Sequence, residues 1–251
     1  MDVLRYVAFS DRPDGGNPAG VVLDASGLSE ERMLAIAAEV GYSETAFVDG
    51  DGIRYFSPLA EVPFCGHATV ATAVALAERD GPGHRVLNTR SGPVPVTTRR
   101  DDQGRLTATL TSVPPRVEPV DDADVDEVLA ALRWARADLD PELPPRVAYA
   151  GAHHLVMAAR DWTTVQLVWR EDALRFHSRN PFPPGGVVED PATGAAAAAL
   201  GAYLRELGLV EPPATVTILQ GEDMGRPGRL LVDLHAGRSE VDVTGTAVAI
   251  N

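Results

Sequence analysis

The stretch CGHATVATAVALAERDG at residues 65–81 decides the fold. From Ala68 to Ala77 its side chains are small or apolar on every face. A helix with no polar stripe has nothing to offer water, so it must be buried on all sides. Short strand-like runs lie around it: RYFSP at 54–58 before it, and RVLNT, PVPVTT and RLTATLT at 85–111 after it. A helix enclosed by many short strands implies a sheet curled around that helix.

The pattern occurs twice. The stretch TGAAAAALGAYLRELG at 193–208 is also small or apolar on nearly every face. Adding 128 to the first set of numbers lays Cys65 on Thr193, Gly66 on Gly194, Leu76 on Leu204 and Glu78 on Glu206. Each half reads as strands, an irregular loop, one buried helix, then more strands, which is the mark of an internal duplication. The expected division is residues 1–113 and 114–251, with the boundary at the PPR of 114–116 and the last strand free to return to the first half. Both loops end in a glycine at the helix start. A helix N-terminus carries unpaired N–H groups and about half a positive charge. Two such ends facing one cleft would hold a carboxylate or other anion without any charged side chain.

Outside these helices, Val3 to Phe9 and Gly20 to Leu23 read as strands separated by the turn-rich RPDGGNPAG. Ser29 starts a helix with Glu30 and Glu31 in its first turn, running to about Val40 and ended by Gly41. DDADVDEVLAALRWA at 121–135 reads as an exposed amphipathic helix with an acidic start. In the second half AYAG, HHLVMAA and TTVQLVW read as strands, and RNPFPPGGVVEDPATG as an irregular approach to the second buried helix. TVTIL, RLLVDLH, EVDVTG and AVAI read as the closing strands.

The 251 residues carry 45% hydrophobic and 23% charged side chains, as expected of a folded globular chain. No run of about 18 apolar residues is present, so no membrane span is expected. MDVLRYVAFSD lacks a basic n-region, and a secretory signal is not expected. One cysteine, Cys65, cannot form an internal disulfide, consistent with a reducing, cytoplasmic setting. The net charge of −14 argues against nucleic acid and anionic membranes as partners. All 22 basic residues are arginine. The absence of lysine excludes Schiff-base catalysis and a lysine-dependent P-loop. No GxGxxG, Walker or GxSxG motif occurs, and no ligand spacing completes a metal site, so neither cofactor nor metal is expected.

Four residues remain as candidates for chemistry. Glu44, in SETAF, reads either as a surface carboxylate at a helix-to-strand junction or, if a cleft closes over it, as a buried group of raised pKa suited to proton transfer. His67, one residue inside a buried helix N-terminus, is expected to stay neutral beside the positive helix end. Asp190 in EDPATG reads as an acid complementing the second helix dipole or as a group that shares a substrate proton, with Glu189 as its competitor and Thr193 as a possible cap. Cys65 stands where the dipole could activate a thiol. A single thiol cannot run a two-thiol racemase. His153 and His154 adjoin on a strand and are expected to point to opposite faces. GEDMGRPG at 221–228 reads as a structural turn carrying Arg226.

Together these stretches resemble the PhzF-like (phenazine biosynthesis) proteins, relatives of diaminopimelate epimerase. The resemblance rests on GNPAGVV at 16–22, SETAFV at 43–48, FSP at 56–58 with EVPFCGHATVATA at 61–73, EDPATGAAAAALGAYL at 189–204 and QGEDMGRPG at 220–228. It implies an α/β, diaminopimelate-epimerase-like fold of two similar halves, each a curled sheet around a central helix, a homodimer, and no cofactor. It implies Glu44 as the proton-transferring residue and His67 and Asp190 as its partners on the substrate, with Asn17, Ser43, Gly66, Thr193 and Gly194 as substrate-binding positions. The implied activity is an isomerisation in which a glutamate takes a proton from one carbon of a small carboxylate and returns it to another. Two departures stand out. Ala195 replaces a serine common in the family, so one polar substrate contact is lost or replaced. Thr193 replaces the second epimerase cysteine. A lyase or cyclase starting from the same base, and a non-catalytic metabolite-binding protein, are the alternatives.

Overall fold

The computed structural model describes residues 2–151, 153–158, 167–181 and 188–250. Its first half contains β1 (Leu4–Ala8), β2 (Asn17–Val22), α1 (Glu30–Val40), β3 (Glu44–Asp49), β4 (Gly52–Phe56), β5 (Glu61–Val62), α2 (Gly66–Asp80), β6 (His84–Thr89), β7 (Gly92–Arg100) and β8 (Leu106–Thr111). The remainder contains β9 (Arg116–Pro119), α3 (Asp122–Leu132), β10 (Arg146–Tyr149), β11 (His153–Ala158), β12 (Leu167–Arg170), β13 (Arg175–Ser178), β14 (Asn180–Pro181) and β15 (Glu189–Asp190). It ends with α4 (Gly194–Glu206), β16 (Ala214–Gln220), β17 (Gly228–Leu234) and β18 (Val241–Ala249).

Strands β1, β2, β3, β4, β6, β7 and β8 close into a barrel through β18, which pairs with β8 on one side and β1 on the other. Helix α2 runs through this barrel and is buried at every residue from Gly66 to Ala77. The second sheet continues from β18 through β17, β16, β13, β12, β11 and β10 to β9. It curls around α4, which is buried from Gly194 to Leu204 and packs on β9, β10, β11, β17 and β18. The small alanine side chains of both helices let the sheets approach closely. By contrast α1 buries one stripe, Met33, Ile36 and Ala37, against Val22, Phe47 and Phe56 on the barrel exterior. Ser29 caps α1 by accepting from the Arg32 N–H, and Gly41 ends it in the left-handed conformation.

The closing strands differ from expectation. EVDVTG and AVAI are one continuous strand, β18, unbroken at Gly245. The glycine serves a close approach rather than a break: a Cβ there would fall 2.2 Å from the Phe9 ring. The PPR boundary at 114–116 leads directly into β9, and RFHS at 175–178 forms the unforeseen β13. Of the expected strand TTVQLVW, residues 163–166 lie outside the described residues.

The two buried helices meet end to end. Cys65 and Thr193 are the residues preceding their first turns, in register with the sequence repeat. A Cβ on Gly66 would lie 2.8 Å from the Cα of Gly194 and 3.0 Å from the backbone N of Ala195. One on Gly194 would lie 3.1 Å from the Cα of Gly66. Backbone faces backbone, so no flexible side chain can yield. Gly66→Ala should therefore force the helix ends apart and cost about 1–3 kcal/mol, a fall in Tm of roughly 2–10 °C. Gly83→Ala, where nothing lies within 4 Å of the added atom, is the control and should leave thermal unfolding nearly unchanged.

Candidate active site

Where the helix ends meet, a hollow of about 300 Å³ opens, bordered by Glu44, Phe64, Cys65, Gly66 and His67 from the first half. His153, His154, Leu155, Asn180, Pro181, Asp190, Thr193 and Ala195 border it from the second. The outer surface holds a larger hollow, about 540 Å³, near Arg54 and Arg90. Its arginines are already engaged by Glu30 and Glu61. Only the smaller hollow has buried carboxyls at its wall.

Glu44 opens β3 and is 3% exposed. Burial raises its pKa above the ordinary carboxyl range, and hydrogen bonds from Ser43 and Cys65 oppose the shift only in part. One carboxylate oxygen, Oε2, lies 3.5 Å from His67 Nε2 and has no hydrogen-bond partner. Asp190 is buried and pushed up to about 8, first by burial and next by the charge of Glu44, against hydrogen bonds from Thr193 and Asn17. Like charges in one buried site cannot both ionise cheaply, so the charge of Glu44 favours the protonated form of Asp190.

His67 is 2% exposed, and burial drives its pKa down to about 3, with the Pro18 carbonyl opposing. Its neutrality is as expected, but desolvation is the leading cause. A neutral imidazole here orients and hydrogen-bonds. Ser43 Oγ lies 3.3 Å from Nε2, and Asn17 Nδ2 lies 3.0 Å from Nδ1. The Asn17 amide also donates to Asp190 Oδ1 and, at 2.9 Å, to the Ala192 carbonyl. Asn17, reached from β2, thus ties His67 to Asp190 across the two halves. Neither Asn17 nor Ser43 borders the hollow; they stand behind the residues that do. Gly194 likewise lies behind, spent on the contact with Gly66.

Thr193 does not cap α4 with its side chain. Its hydroxyl donates to Asp190 Oδ2 at 2.7 Å and accepts from Asn180 Nδ2 at 2.6 Å and Gln220 Nε2 at 3.1 Å. Gln220 also donates to the Asp190 carbonyl at 2.7 Å. Asn180 and Gln220 were not foreseen, although Gln220 opens the quoted QGEDMGRPG. Glu189 is removed from contention by Arg179, which holds both its oxygens at 2.9 and 2.6 Å. Arg226 donates to the carbonyls of Gly15 and Gly16, clamping the turn after Gln220 onto the loop before Asn17.

Cys65 is corrected. Burial and then the charge of Glu44 push its thiol well up, so the helix end does not activate it. The ligand atoms of Glu44, Cys65 and His67 all lie within 4.8 Å of one another. Metal ligation needs a thiolate and a carboxylate. Here both groups are driven toward their protonated forms, beside two positive helix ends, and the set is better suited to an anion than to a cation.

Among the described residues no helix is long and apolar enough to cross a membrane. The family model described as phenazine biosynthesis-like protein matches residues 6–168 and 157–251. Trans-2,3-dihydro-3-hydroxyanthranilate isomerase of Pseudomonas aeruginosa is 33% identical, over 98% of this chain and 96% of that protein. An uncharacterized isomerase of Bacillus subtilis is 31% identical, over 98% of this chain and 96% of its own length. The crystal structure of a PhzF-family phenazine biosynthesis protein of Bacillus anthracis superposes with a TM-score of 0.85 at 26% identity, over 100% of this chain and 98% of that one. A hydroxyproline epimerase from Agrobacterium vitis shares the fold, with a TM-score of 0.68 at 15% identity, over 99% of this chain and 90% of that one. The chain therefore belongs to the phenazine biosynthesis-like (PhzF) family and has the diaminopimelate-epimerase fold.

Proposed function

We propose that this protein is an isomerase that moves a proton on a small carboxylate-bearing metabolite, with Glu44 as the single acid–base group and no cofactor. One observation carries the reading: Glu44 presents an unpartnered, buried carboxylate oxygen at the hollow where two helix N-termini converge. The family's curated relatives named as isomerases support the reaction class.

In this reading the backbone N–H groups of the two helix ends bind the substrate carboxylate. The Glu44 carboxylate removes a proton from a carbon near that group, and the freed electron pair delocalises toward the held anion. The same proton, or one exchanged with solvent, is returned from Glu44 to a second carbon. The product is isomeric with the substrate, and atoms balance without oxidant or co-reactant. Neutral His67 and protonated Asp190 hydrogen-bond the developing charge. Burial on both sides excludes the non-catalytic alternative's simplest form, a solvent-facing Glu44.

Glu44→Gln keeps the shape and removes the base. With trans-2,3-dihydro-3-hydroxyanthranilate as the first substrate, turnover should fall about 10²–10⁴-fold. Deuterium uptake from heavy water, followed by mass spectrometry, should fall with it. Near-normal turnover in the variant would overturn the assignment, and a product lighter than the substrate would mark an elimination instead.

The pH profile follows from the two carboxyls. Glu44 must be ionised, so kcat/KM should rise with pH through a pKa above the ordinary carboxyl range. Asp190 must keep its proton, so kcat/KM should fall again around pH 8. Asp190→Asn removes the second titration. In that variant the alkaline fall should vanish while the acid limb, set by Glu44, stays in place.

A further inference from the structure

Unpartnered polar atoms are rare in buried positions, and each calls for a physical reason. Among the described residues five buried side-chain atoms have no hydrogen-bond partner, and two belong to residues bordering the hollow: Glu44 Oε2 and His154 Nε2. They come from different halves of the chain, Glu44 from β3 of the first and His154 from β11 of the second. The oxygen of Glu44 is explained by its chemistry. Nothing in the mechanism so far uses His154.

His154 differs from its neighbour. His153 is exposed and packs its ring 4.8 Å from that of Tyr149. His154 is held by the backbone pairing of β11 with β10, opposite Ala148, so its ring position is set by the sheet rather than by a side-chain contact. Burial, with His153 adding to the effect, lowers its pKa to about 4. The ring is thus neutral under ordinary conditions and offers Nε2 either as an N–H donor or as a lone pair. The same wall carries Ala195, whose methyl group makes no hydrogen bond in the first turn of α4.

We propose that His154 is a specificity-determining residue, its Nε2 hydrogen-bonding a hydroxyl or amino group of the substrate at the second-half border of the hollow. The inference rests on the carboxylate-isomerase reading above and adds to it that the metabolite carries a polar substituent besides its carboxylate. His154 takes no part in proton transfer. It supplies from β11 a polar contact that Ala195 cannot supply from α4. A site that hydrogen-bonds a substituent discriminates against analogues lacking it, because the buried polar atom is then left unpaired.

The test is calorimetric binding of two probes, anthranilate and 3-hydroxyanthranilate, which differ by one hydroxyl, at neutral pH. The wild type should bind the hydroxylated probe roughly three- to tenfold more tightly. His154→Phe should erase that preference while still binding anthranilate, and His154→Gln, which restores a donor and an acceptor, should recover part of it. Thermal unfolding of each variant verifies its fold, and His154→Gln carries the test if His154→Phe does not fold. Equal affinities in the wild type, or an unchanged preference in both His154 variants, would overturn the role of His154 and leave the isomerase reading standing. Failure of both probes to bind the wild type would overturn the carboxylate site itself, and this inference with it.

Discussion

Two helix N-termini meet backbone to backbone at Gly66 and Gly194, and the arrangement of the rest of the molecule follows from that contact. Each helix must be buried along its length to bring its end there, so each is wrapped by strands and built of small residues. The strands cannot form two independent units, because β18 completes the barrel around α2 and also flanks α4 through the second sheet. Phe9 sits at this crossing, its ring against Gly245 of β18 and close to Gly194. The contact brings two helix N-termini to one hollow, a concentration of positive potential made without a cationic side chain.

Two carboxyls border this hollow. Glu44 and Asp190 come from different halves; burial raises both, and the charge of Glu44 raises Asp190 further. Asn17, Thr193, Asn180 and Gln220 secure Asp190 and its loop in place. Glu44 has no comparable support, with one oxygen unpartnered. The asymmetry separates the roles: a held acid on one side, an available base on the other. The thiol of Cys65, raised by burial, stays out of this division.

Much of this was legible in sequence because burial leaves a composition. The all-round apolar helices, their repeat at a spacing of 128 and the glycines at their starts could be read directly. So could α1, whose Ser29 cap and Gly41 stop are local signals. What could not be read were roles set by partners distant in the chain. Gln220 reaches Asp190 across 30 positions, and Asn17 reaches it across 173. Thr193 looked like a cap because its position is that of one, yet its hydroxyl goes to Asp190. The state of Cys65 stayed open because dipole position is visible in sequence while desolvation is not. The break expected at Gly245 failed for the same reason, since only the folded chain brings the Phe9 ring over it.

The central claim is that Glu44 and Asp190 are both raised by burial at one hollow, and that the charge of Glu44 helps to keep the proton on Asp190. Titration of the free enzyme with ¹³C-labelled Glu and Asp side chains, assigned through Glu44→Gln and Asp190→Asn, reads this directly. The account predicts that both carboxyls titrate above the ordinary range, Asp190 at about 8, and that removing Glu44 lowers the value for Asp190. Two carboxylates both fully ionised at pH 5, each indifferent to loss of the other, would contradict it.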